Sequence, residues 1–125
     1  MGQPILFLVD DRPQVLEALA ADVARRFGAD HRILAEASPE AALAALEGLA
    51  RRGGEVALVV AGQRMAELAG VPFLLRAHEL HPSAKRVLLV GRRAWTPTNP
   101  AVPAMALGQI DTYLFEPTVP VSCPL

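Results

Sequence analysis

Cysteine, lysine, tryptophan and tyrosine each occur once in this chain, and no apolar run approaches the length needed to span a membrane. Each scarcity closes a class of function. Cys123 stands alone near the end, so an internal disulfide is excluded, which suits a reducing cytosol. With neither Cys-x-x-Cys nor Gly-x-Gly-x-x-Gly, the chain has no dithiol or dinucleotide motif of its own. His31, His78 and His81 have no ligand spacing with other donors and are read as surface residues; no Ser-His-Asp or Cys-His constellation can be assembled. The opening Met1-Gly2-Gln3-Pro4 lacks a basic segment, and the apolar run after it is too short for a signal peptide, so a cytoplasmic location is expected. A net charge of −1 gives no broad field to hold nucleic acid or an anionic membrane.

What is present is ordinary for a globular domain. The 125 residues are 52% hydrophobic and 20% charged, enough for one core without a metal or disulfide. Ile5 to Val9 is a continuous apolar run, as expected of a strand buried on both faces of a parallel sheet, and it ends in Asp10-Asp11. Val15, Leu16, Leu19, Val23 and Phe27 then recur at helical spacing up to Gly28. A short strand follows over His31–Ala35. Ser38-Pro39-Glu40 opens a second helix, with Ser38 as cap and Pro39 at the first position, and Gly53-Gly54 stops it. Val56–Ala61 reads as a third strand, Phe73, Leu74, Ala77 and Leu80 as the apolar face of a third helix, and Arg86–Val90 as a fourth strand. This alternation predicts right-handed crossovers, with ligand sites at the carboxyl ends of the strands.

The last third departs from that rhythm. Pro97, Pro100 and Pro103 exclude a long fourth helix and leave room for a short one over about Pro100–Leu107, capped by Asn99. Thr112–Phe115 reads as a fifth strand. Pro117, Pro120 and Pro124 then leave no clear fifth helix, so residues 1–117 form the domain and 118–125 a Pro-rich tail. One face near the sheet edge should therefore be poorly covered.

Four segments in order resemble the receiver domain of bacterial response regulators. Val9-Asp10-Asp11-Arg12-Pro13 resembles the acidic pair after the first strand, and Gly62-Gln63-Arg64-Met65 the stretch that follows the third. Val87-Leu88-Leu89-Val90 stands where the fourth strand normally ends in Thr or Ser. Tyr113-Leu114-Phe115-Glu116-Pro117 resembles the aromatic-x-x-Lys-Pro close of the fifth. The resemblance covers nearly the whole chain to Pro117. It implies a flavodoxin-like (CheY-like) doubly wound α/β fold, with five parallel strands in the order 2-1-3-4-5. The wording of Gly70-Val71-Pro72-Phe73 and Ala84-Lys85-Arg86-Val87 is nearest to receivers fused to thioredoxin-reductase-like flavoproteins, which implies such a protein as one candidate partner.

The departures from the family pattern carry the functional reading. The resemblance puts Gly62 at the phosphoacceptor aspartate, Val90 at the hydroxyl that follows the phosphoryl group, and Glu116 at the neutralising lysine. Asp10 and Asp11, the implied Mg²⁺ pair, survive. Lys85 opens the fourth strand at the wrong edge of the sheet, and Glu67 lies too far along its loop to replace the nucleophile. Phosphoryl transfer depends on positioning and charge stabilisation, so losing nucleophile and cation together should remove it, and no enzymatic activity is expected.

Asp10, Asp11 and Glu116 should converge on one rim, where two carboxylates about 5 Å apart repel by roughly 3 kcal/mol at an effective dielectric near 20. Arg12, Arg64, Arg92 and Arg93 fall in loops there, so pairing with arginine or plain hydration is favoured over a divalent ion, and no cofactor is expected. Trp95 reads equally as an exposed anchor or as tucked over the short fourth helix, and Tyr113 as a half-buried strand residue. Glu116-Pro117 stands at the cis peptide that the resemblance implies.

The leading expectation is a phosphorylation-independent signalling module. It would present its fourth helix, fifth strand (Trp95, Tyr113, Pro117) and tail to a second copy, or to a fused or separate effector. The alternative is a cation- or anion-sensing switch on the acidic rim. A receiver still phosphorylated at an unusual residue is the least favoured reading.

Overall fold

The computed structural model describes residues 3–117. The Pro-rich tail 118–125, with Cys123 and the last prolines, lies outside the described residues.

Five strands, β1 (Ile5–Val9), β2 (Arg32–Glu36), β3 (Val56–Gly62), β4 (Lys85–Val90) and β5 (Thr112–Phe115), form one parallel sheet in the order β2-β1-β3-β4-β5. Between them run α1 (Pro13–Phe27), α2 (Pro39–Arg51), α3 (Gly70–Leu80), a single 3₁₀ turn over Arg92–Ala94, and α4 (Ala101–Ala106). This is the flavodoxin-like order expected, stunted fourth helix included. β2 begins and ends one residue later than its apolar pattern suggests, because Glu36 still pairs with Val9. β3 runs on to Gly62, which pairs with Leu89.

Local chemistry sets the helix ends. Ser38 Oγ accepts from the backbone N–H of Ala41, one of the amides left free at the start of α2, and Pro39 follows it. At the far end Gly53 takes φ +70°, which lets Gly54 N–H reach the Leu49 carbonyl. Gly108, at φ +72°, ends α4 in the same way, with Gln109 N–H on the Ala104 carbonyl. Pro100 stands just before α4, so its six residues run between that proline and the Gly108 turn. Asn99 caps it, its Oδ1 accepting from Ala101 N–H at 2.8 Å.

Alternation along the strands divides the core. Phe7, Val9, Val59, Ala61, Leu88 and Val90 face α2, α3 and α4, packing on Leu46, Phe73, Leu74, Ala101 and Ala104. Leu8, Val60, Val87 and Leu89 face the other way, onto Val15 and Leu19 of α1. β1 is buried throughout, as its unbroken apolar run requires.

One histidine departs from expectation. His81 is buried rather than exposed, with Nε2 2.8 Å from the Leu46 carbonyl, and so ties the end of α3 to α2. The backbone contradicts a second expectation. Among the described residues every peptide bond is trans, Glu116–Pro117 included, so the cis form implied by the resemblance is absent.

Candidate functional site

The carboxyl ends of β1, β3, β4 and β5 bring Asp10, Gly62, Val90 and Glu116 to one edge of the sheet. Asp10 follows β1 directly and is fully buried, an expensive place for a carboxylate unless it is paired and hydrogen-bonded. It is both. Arg12 donates three bonds to it: backbone N–H to Oδ1 at 2.9 Å, Nε to Oδ1 at 3.0 Å and Nη2 to Oδ2 at 2.8 Å. The two side-chain bonds form the bidentate fork that guanidinium geometry favours.

The same Nη2 reaches across to Glu116 Oε2 at 2.6 Å. Glu116 is fixed from the other side by its backbone N–H on the Val90 carbonyl at 2.9 Å. One guanidinium therefore neutralises two carboxylates from opposite ends of the chain. Bonding to Asp10 and Glu116 outweighs partial burial and pushes the Arg12 guanidinium well above its ordinary value, so it stays charged.

Gly62 explains how Asp10 fits. A Cβ built on Gly62 would lie 2.4 Å from Asp10 Oδ2, inside any real contact distance, and 3.0 Å from its Cγ. The carboxylate of Asp10 occupies the space a side chain at position 62 would need. Asp11 turns elsewhere, with Oδ2 accepting from Ala66 N–H at 2.8 Å, and so pins the β3–α3 loop to the end of β1. The expected rim is thus only partly assembled: Asp10 and Glu116 meet on Arg12, while Asp11 serves the loop. Among the described residues no group of three or more His, Cys, Asp or Glu side chains could hold a metal ion.

The other rim arginines do not join the pairing. Arg64 and Arg93 are exposed, and Arg92 lies over the Phe115 ring, 5.2 Å from its centroid. Of the two sequence readings of Trp95, neither is complete. Its ring stacks on Tyr113 at 4.5 Å and 19°, and meets Phe115 edge-on at 5.8 Å. Tyr113 and Phe115 also meet edge-on at 5.8 Å, closing a three-ring cluster on β5. Tyr113 is half-buried, as expected. Val90 is fully buried and has no hydroxyl to offer.

One feature carried no sequence signal of its own. Gln63, next to Gly62, exchanges side-chain hydrogen bonds with Asn99, its Nε2 donating to Asn99 Oδ1 at 2.8 Å and Asn99 Nδ2 donating back to Gln63 Oε1 at 3.3 Å, joining the end of β3 to the start of α4. A cleft of about 280 Å³ opens between α1 and β5, lined by Leu19, Val23, Phe27, Leu114 and Pro117 among others. Leu114 is 47% exposed there, so among the described residues this edge of the sheet is poorly covered.

No family model and no curated protein matches the chain. Solved structures do. An uncharacterised protein of Neptuniibacter caesariensis is 29% identical over 90% of this chain and 75% of that one, with a TM-score of 0.72. A response regulator receiver domain protein of Clostridium thermocellum is 19% identical over 92% and 83%, with a TM-score of 0.70. A response regulator of Burkholderia pseudomallei, solved with a phosphorylated aspartic acid, a calcium ion and citrate, is 19% identical over 93% and 61%, with a TM-score of 0.68. The fold is that of the CheY-like receiver domains of response regulators.

Proposed function

We infer that this chain is a receiver-type signalling domain that works without phosphorylation, as a protein-interaction module rather than an enzyme. The observation that carries this reading is the Asp10 carboxylate lying over Gly62, in the space from which a phosphoacceptor side chain would project. Around it the chemistry of a phosphoacceptor is reversed. Glu116 contributes a negative charge where a transferred phosphoryl group needs a positive one, Val90 has no hydroxyl, and the one guanidinium at the centre is spent on Asp10 and Glu116. A dianionic phosphoryl group entering here would meet two carboxylates and displace the guanidinium that pairs them. Signalling by such a domain rests on which surface it offers to another protein, in the cytoplasm. The alternative of a cation-sensing rim gains nothing from the geometry, because Asp11 is engaged with Ala66 and Asp10 with Arg12.

The test is intact mass and heteronuclear NMR after mixing with Mg²⁺ and acetyl phosphate, then with beryllofluoride. The expected result is no added mass and no shift at Asp10, Asp11 or Gly62. A phosphoryl adduct would overturn the reading, and shifts confined to Asp10 and Asp11 on adding Mg²⁺ alone would revive the cation switch.

A further inference from the structure

We propose that Arg12 is a tethered internal cation that holds the chain in one switch state, by clamping the end of β1 to the end of β5 and so fixing the Trp95–Tyr113–Phe115 cluster. The inference deepens the reading above and rests on it, naming the group that stands in for an external signal.

The connection is short and made of named contacts. Arg12 Nη2 joins Asp10 at 2.8 Å to Glu116 at 2.6 Å. Glu116 directly follows Phe115, whose ring meets both Trp95 and Tyr113. The Glu116 carboxylate also lies across Gly91, where an added Cβ would be 3.4 Å from Oε2. Gly91 is the root of the 3₁₀ turn that carries Arg92 and leads into Trp95. Arg92 in turn covers the Phe115 ring. Glu116 thus adjoins both chain segments that supply the aromatic cluster, following β5 directly and bonding through its N–H to Val90 at the end of β4, from which the β4–α4 loop departs. Its only ion-pair partner among the described residues is Arg12.

Asp10 sets the direction of this clamp. Its carboxylate is buried and held by the backbone N–H of Arg12 as well as by the fork, so it is the fixed anchor. The Arg12 side chain is 44% exposed and that of Glu116 22% exposed, so the outer half is the part that can open. A residue further along β5 or the loop is moved by that opening; Asp10 is not. Coupling of this kind exists only if the two ends share an energy, which a double-mutant cycle measures.

Trp95 and Tyr113 are the only tryptophan and tyrosine in the chain, so their stack can be read without labelling. The experiment compares acrylamide quenching of Trp95 and the near-ultraviolet circular dichroism of wild type, Arg12→Ala, Glu116→Gln and the double variant, with Tyr113→Ala as reference for an opened stack. Far-ultraviolet spectra establish that each is folded. A stacked pair is worth roughly two- to tenfold in an opening equilibrium. Each single variant should therefore raise the quenching constant about twofold or more, towards the Tyr113→Ala value. The double variant should go no further than either single one. Quenching and dichroism unchanged from wild type in both single variants would overturn the clamp, as would effects that simply add. Should Arg12→Ala not fold, Glu116→Ala decides: it leaves Asp10 paired and removes the outer half altogether, whereas Glu116→Gln removes only its charge. A phosphoryl adduct in the mass experiment would remove the functional reading while leaving this coupling measurable. An unmoved Trp95 with no adduct would remove the clamp alone.

Discussion

Against one face of the sheet lie three helices, and residues such as Leu46, Phe73 and Leu74 are sealed from solvent there. Against the other, among the described residues, lies α1 alone, with Val15 and Leu19 covering Leu8, Val60, Val87 and Leu89. Burial on that second face fails one strand further out. Leu89 is fully buried, while its neighbour Leu114, paired with it across β4 and β5, is 47% exposed. The strands are apolar on both faces, but apolar patterning only states a demand for cover, and a helix has to meet it. The signalling surface proposed for this domain begins where that cover runs out, beside the aromatic cluster on β5.

The inequality can be broken at three sites with one measurement, chemical denaturation. Phe73→Ala on the three-helix face should cost about 4 kcal/mol, because its surroundings are tightly packed and cannot collapse into the gap. Leu19→Ala on the α1 face should cost about 2 kcal/mol, since the cleft beside it allows relaxation. Leu114→Ala should stay within about 0.5 kcal/mol. Equal losses at Phe73 and Leu19 would mean that both faces are packed alike.

Gly62→Asp tests the rim at the junction of those faces. The new Cβ must displace the Asp10 carboxylate or be displaced by it, and a third acid joins Asp10 and Glu116 beside Arg12. The variant should lose about 2 kcal/mol of stability and gain no mass from acetyl phosphate. Restored phosphorylation in this single variant would show that Asp10 swings aside more freely than its burial implies.

A further small effect belongs to the exposed edge at the opposite end of β5. Asp111 Oδ2 accepts from the Arg86 backbone N–H at 2.7 Å, and that bond, followed by the charge of Arg86, holds its carboxyl below the ordinary 3.8. A carboxyl lowered on folding stabilises the fold above its unfolded value, and the contribution disappears as pH falls through the folded one. Between pH 5 and 3, Asp111→Asn should lose slightly less stability than wild type, while at pH 7 it should be slightly less stable, by less than about 1 kcal/mol. Identical acid limbs in the two proteins would assign no role to this carboxylate.

Most of the fold was legible because its signals are local. Unbroken apolar strands, Ser38-Pro39 at a helix start, Gly53 at a helix end and the prolines around α4 each act within a few residues. The departures at Gly62, Val90 and Glu116 were equally plain as letters. His81 was misjudged because a lone histidine carries no mark of the carbonyl that Leu46, 35 positions earlier, will offer it. The Gln63–Asn99 pair and the Trp95–Tyr113 stack were invisible for the same reason.

The sequence by itself determined the order of elements, the parallel sheet they form, and the set of side chains that stand at its carboxyl edge. Only the tertiary structure decided which of four arginines serves the acids, that Asp11 leaves the rim for Ala66, and that Asp10 fills the space over Gly62. Backbone propensities and apolar periodicity act over one or two turns of chain. A guanidinium two residues from one carboxylate and 104 from the other finds its partners only after the strands have brought both to the same edge.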